Sequence, residues 1–137
     1  MKKMLTNWMP RALSVLRIMA SLLFIEHGTQ KFLGFPAPGP HGVADLLSLT
    51  GFEGCLEIVG GALLAVGFRT RSVAFLLSGE MAVGYFMVHA PRSFYPILNN
   101  GDAAILFCFV FLLFVFSGGG AWSIDNIVAD NSKQPES

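Results

Sequence analysis

Residues 103–116 read AAILFCFVFLLFVF, an apolar run with no charged side chain on any face of a helix. A helix on the surface of a water-soluble domain carries a polar side, so a segment that is apolar all round belongs in lipid or in a deep core. The rest of the chain points to lipid. Its 137 residues make one domain, 53% are hydrophobic and only 13% are charged, about half the charged share of an ordinary soluble domain. The formal net charge of zero leaves no basic footprint for nucleic acid.

Four segments of roughly 17–23 residues reach the length that crosses a hydrocarbon core. They run from about 11 to 33, 51 to 68, 72 to 89 and 102 to 117. Two Pro-rich stretches, GFPAPGPHG and APRSFYPILNNG, separate the first from the second and the third from the fourth; GFRTR makes the short turn between. Lys2, Lys3 and Arg11 before an apolar stretch look like a secretory signal, but no small-x-small site follows before Glu26, so an uncleaved first span is expected. The expected fold is all-α, a four-transmembrane-helix bundle over residues 1–125, with 126–137 a short polar tail lacking structure. Lys2, Lys3, Arg11, Arg69, Arg71 and Lys133 fall on one side against Lys31 and Arg92 on the other. Both termini are therefore expected in the cytoplasm of a bacterial cell, with the chain in the inner membrane.

Charges inside a span seek partners, because each costs at least about 2.5–3.5 kcal/mol at the bilayer centre. Counted from the same side, Arg17 lies roughly 9 Å deep and Glu80 roughly 12 Å. The sequence thus predicts a buried Arg17–Glu80 ion pair between the first and third helices.

A second polar group gathers toward the outer side. Ser14, Arg17, Ser21, His27, Gly28 and Lys31 share one face of the first helix, and Glu53, Glu57, Gly60 and Gly67 share one face of the second. Glu26 points away. His27, Lys31, Glu57, Tyr85, His89, Asn99 and Asp102 form a candidate polar chamber, with Asn100 at the same level. Gly28, Gly60 and Gly61 let helices approach closely. On an ideal helix Glu80 and His89 point apart, which requires either a bend near Gly84 or a loop position for His89. The chamber reads as structural hydrogen bonding, as a binding or redox site, or as an ion or proton path. The two histidines sit at different levels, which disfavours haem, and no metal-ligand spacing occurs. Cys55 and Cys108 form no CxxC pair and read as small buried apolar residues.

The motifs in order carry a resemblance. The first span has F-x-x-H-G-x-x-K (Phe24, His27, Gly28, Lys31). The second has E-x-x-G-G followed by G-x-x-T-R (Glu57, Gly60, Gly61, Gly67, Thr70, Arg71). The third and its loop carry Glu80, Met81, Tyr85, Phe86, His89, Pro91, Phe94 and Pro96; the fourth opens NNGD and is followed by WSID. Over about residues 12–125 the chain resembles the DoxX family of small four-helix membrane proteins. Asp102 departs from the pattern, where members often carry Glu, and Glu26 has no place in it. The resemblance implies a membrane subunit in an oxidoreductase system, since the family takes its name from a subunit of a thiosulfate:quinone oxidoreductase. Any enzymatic role would be as a subunit of such a system, with quinone as the implied ligand and an oxidoreductase subunit or a second copy as the implied partner. It names no catalytic residue. The competing expectation is a non-enzymatic scaffold or a small-solute transporter whose polar cluster is structural.

Overall fold

The computed structural model describes residues 2–39 and 42–132 and is helical, with no strand among them. Six helices follow in order: α1 Lys2–Leu33, α2 Leu49–Val66, α3 Thr70–Gly84, α4 Pro96–Asn99, α5 Asp102–Ser117 and α6 Ile124–Asn131. A π-helical turn, Tyr85–His89, continues α3. The four long helices run up and down, so both Pro-rich loops lie at one end, the loop end. The turn between α2 and α3 lies at the other, with the start of α1. Three helical stretches (Leu5–Leu33, Leu49–Val66 and Thr70–His89) are long and apolar enough to cross a membrane, and α5 is a shorter apolar helix.

The packing is that of a protein solvated by lipid. Phe75 and Phe109 are 64% and 65% exposed on the outside, while Phe24, Leu64, Leu77, Phe111 and Phe114 fill the middle at 0–1%. Phe24 meets the edge of Phe111 at 4.9 Å between ring centroids, which joins α1 to α5. Glycine sets the spacing of α1 and α2: a Cβ on Gly28 would come within 2.6 Å of Ile58 Cγ1, and one on Gly61 within 2.7 Å of Ile25 Cγ1. Bulkier residues would hold these helices apart.

The residues after α5 close the end opposite the loops. The loop from Gly118 to Ser123 runs back over the bundle, and Ala121 N donates to Pro10 O at 3.0 Å. Trp122 N donates to Ser14 Oγ at 2.9 Å. α2 stops at Gly67 in the left-handed conformation (φ 71°), and a Cβ there would lie 2.4 Å from Ser123 Cβ. α3 has no cap of its own; Asp125 supplies one, accepting from Arg69 N at 2.7 Å and Thr70 N at 2.8 Å. Partial burial works against the charge of Asp125, yet these hydrogen bonds and the nearby Arg17 hold its carboxyl below the usual range. Arg71 Nη1 donates to Val115 O at 2.7 Å and Phe116 O at 2.6 Å, satisfying carbonyls that the end of α5 leaves open.

Three expectations are corrected. The segment after Asp125 is not without structure: Ser123 caps α6, accepting from Asn126 N at 3.2 Å, and the helix continues to Asn131. Residues 133–137 lie outside the described residues. Cys55 faces outward rather than inward, and Cys108 is half-buried beside Ser78.

The Arg17–Glu80 pair does not form. Arg17 is fully buried, but its guanidinium donates to backbone carbonyls: Nε to Gly119 O at 2.8 Å, Nη1 to Leu64 O at 2.5 Å and to Ala65 O, and Nη2 to Trp122 O at 2.5 Å. The level was misjudged because α1 begins at Lys2, well before the bundle proper, and residues 5–12 are exposed. Arg17 therefore sits level with Gly67 and Ser123, whereas Glu80 is ten residues along α3 from Thr70, roughly 15 Å. The partial negative charge at the end of α2 replaces the expected carboxylate.

Candidate functional site

Toward the loop end the four long helices enclose a cavity of about 510 Å³. α1 contributes Phe24, His27 and Lys31; α2 contributes Thr50, Glu53 and Glu57. α3 and its π turn contribute Glu80, Met81, Gly84, Val88 and His89, and Asn100, Ala103, Ala104 and Phe107 complete the wall. The volume is that of a small-molecule site.

Lys31 organises one side. Its Nζ lies 2.9 Å from Glu57 Oε1 and 3.3 Å from Glu53 Oε2. Glu57 is 3% exposed, and its second oxygen has no partner. Among the described residues, neither carboxyl oxygen of Glu80 has a hydrogen-bond partner either. Three carboxyl groups thus face one ammonium, and buried polar groups without partners are rare enough to require a reason. His27 Nδ1 is tied to Leu23 O at 2.8 Å, and the ring stands edge-on to Phe107. His89 Nδ1 is tied to Asn99 O at 2.9 Å, and the ring stacks on Tyr85.

The π turn explains how Glu80 and His89 come to share a cavity. Ala90 N donates to Tyr85 O at 2.9 Å, an i→i+5 bond. Each residue of such a turn advances by less than the ~100° of an α-helix, so His89 swings back toward the side that Glu80 faces. This change of winding over Tyr85–His89 stands in place of both expected alternatives, a bend near Gly84 or a loop position for His89. π turns occur frequently at functional sites.

Of the residues expected in the chamber, His27, Lys31, Glu57 and His89 line the cavity, and Glu80 joins them. Tyr85, Asn99 and Asp102 do not. Asn99 is fully buried and supports the loop, donating to Ser93 O at 2.8 Å and to the Tyr85 hydroxyl at 3.4 Å and accepting from Gly101 N at 2.8 Å. Asp102 is exposed in the first turn of α5, where a carboxylate complements the helix dipole. Glu53, Thr50, Met81 and Gly84 were missed as lining residues; Glu53 shares the face of Glu57, which was the available signal. Among the described residues, no group of three or more His, Cys, Asp or Glu is placed to hold a metal ion.

Helical spans, lipid-facing apolar side chains and a polar cavity between helices define a multi-pass integral membrane protein. The DoxX family profile matches residues 12–90, more than half of the sequence, and the chain belongs to that family. It is 45% identical over 128 residues to an uncharacterized protein of Haemophilus influenzae, covering 89% of this chain and 94% of that one. It is 29% identical over 134 residues to the uncharacterized membrane protein Rv3486 of Mycobacterium tuberculosis, covering 85% and 80%. No solved structure matches significantly.

Proposed function

We propose that this protein is an inner-membrane subunit of an oxidoreductase system and takes a quinone-class molecule into the cavity at the loop end. The observation that carries the reading is the composition of that cavity. Phe24, Met81, Val88 and Phe107 give an apolar slot for a flat ring, while His27, Lys31, Glu57, Glu80 and His89 give polar groups for its oxygens. His27 and Ala103 line the cavity and are exposed on the flank of the bundle, which suits entry of a lipid-soluble ligand from the side.

One feature favours binding over conduction of a solute. Between the cavity and Arg17 lies the buried apolar cluster of Phe24, Leu64, Leu77, Phe111 and Phe114, and the buried hydroxyls beside it, Ser21 and Ser78, are tied to the carbonyls of Arg17 and Cys108. Exposed Arg11, Arg69 and Arg71 gather at the opposite end, and this basic bias supports a cytoplasmic position for that end. The cavity then opens toward the periplasmic half. Glu26 lies exposed on the outward side of α1, where a partner subunit or a second copy would shield its charge from lipid.

The test is extraction of the protein, purified in mild detergent, with mass spectrometry for quinones and a visible absorption spectrum for haem. Quinone at near-stoichiometric amount, lost in His27→Ala while helix content and melting stay the same, is the expected result. A wild-type protein that carries no quinone and takes none up would overturn the reading in favour of a scaffold or a solute carrier.

A further inference from the structure

The cavity is unevenly supplied with hydrogen-bonding roles. A carbonyl oxygen only accepts, so the contacts of His27 Nδ1 with Leu23 O and of His89 Nδ1 with Asn99 O require an N–H at both nitrogens. In a neutral imidazole the other nitrogen, Nε2, then carries a lone pair and accepts. No protein hydrogen bond engages either Nε2 among the described residues. Glu57, 3% exposed, has one oxygen on Lys31 and the other without a partner. Glu80 has two oxygens without a partner, and even with a proton on one the other remains an acceptor. Against these stands Lys31, two of whose three N–H groups already serve Glu53 and Glu57.

We infer that the cavity selects the reduced, dihydroxy form of its ligand, a hydroquinone, over the quinone. The inference rests on the reading that a quinone-class molecule occupies the site. A quinone presents two carbonyl oxygens, which could draw on the remaining N–H of Lys31 or a proton on Glu80 but would leave most of these acceptors without partners. Its hydroquinone presents two O–H groups that meet them. Sites built to pair with a hydroxyl reject analogues that lack it, because their own polar groups are then left unpaired. The selection has an electrochemical corollary. For a two-electron couple each tenfold preference for the reduced form raises the potential of the bound pair by about 30 mV. A quinone held here is a stronger oxidant than the same quinone free in the bilayer, so the site draws electrons in from a partner.

The experiment uses the full chain in lipid nanodiscs, titrated under nitrogen with decyl-ubiquinone and separately with its hydroquinone. The hydroquinone should bind at least tenfold more tightly, and Glu80→Gln, which alters no protein contact, should shrink the ratio; Glu57→Gln should shrink it further. Equal affinity for the two forms, or tighter binding of the quinone, would overturn the inference while leaving the quinone site standing. A ratio unchanged in both variants would overturn its assignment to these carboxyl groups. Binding of neither form would sink the quinone reading itself, and the inference with it.

Discussion

Arg17 Nε donates to the carbonyl of Gly119 at 2.8 Å, joining positions 102 residues apart. The same guanidinium reaches the end of α2 and the residue before Ser123, so one side chain ties together the first helix, the second helix and the chain beyond the fourth span. A lysine has no planar fork and cannot serve carbonyls in these separate directions. Arg17→Lys is expected to cost on the order of 3 kcal/mol, the worth of one or two hydrogen bonds to a charged group. Denaturation in mixed detergent micelles would check it, and an unchanged midpoint would show the bonds to be dispensable.

Among the described residues, none forms a hydrogen bond to the Glu80 carboxyl group. Removing an unpaired buried polar group relieves a cost of about 1–3 kcal/mol, so Glu80→Leu should make the bundle more stable by about that amount. The same variant should lose ligand. Paired measurements of melting and bound quinone distinguish this from a structural role, for which stability would fall.

Gly84 lines the cavity, and a Cβ there would meet nothing within 4 Å. Gly84→Leu therefore projects into open space without moving a helix. Removing a glycine from a helix should add about 0.5–1 kcal/mol of stability. Ligand occupancy should drop by tenfold or more, and full occupancy in this variant would place the ligand elsewhere.

Asp125 caps α3 from a distance, and its folded-state pKa lies below the ordinary value. A carboxyl depressed in this way stabilises the fold above its unfolded value, and the contribution is lost as the pH falls through the folded one. Asp125→Asn should cost about 1 kcal/mol at neutral pH, as a lost cap does. The variant should also lack the share of acid-limb loss that Asp125 is expected to contribute below about pH 4 in the parent. Stability measured against pH for both proteins reads the sign directly.

The apolar segments and their faces were legible because periodicity is a local property. The run 103–116 had to be a helix in lipid or in a deep core, and the shared face of His27, Gly28 and Lys31 followed from counting turns. The level of Arg17 was not legible. It depends on where α1 begins relative to its neighbours, which packing decides and local pattern does not. Glu80 was lost to the same error and to the assumption of uniform winding, since no residue between Tyr85 and His89 announces a π turn. Asn99 and Asp102 were credited with chamber roles because they lie at the right level, yet level does not fix direction: one turns into its own loop and the other stands exposed in the first turn of α5. Gly118, Gly119 and Gly120 looked like a simple stop after the fourth span. Their purpose, to let the backbone lie against Pro10, Ser14 and Thr70, shows only once the two ends of the chain are side by side.

The clasp around Arg17 also dictates an order of assembly. A ribosome delivers the chain from its amino end, so α1 enters the bilayer while Gly119 and Trp122 are still to be made. When α2 follows, Leu64 and Ala65 can take up one corner of the guanidinium; the other donors wait for Gly119 and Trp122. Until residue 122 has been made this arginine needs shelter from the insertion machinery or from headgroups. A chain cut short before residue 119 would leave it incompletely sheathed, a mark by which quality control could tell an unfinished copy from a finished one.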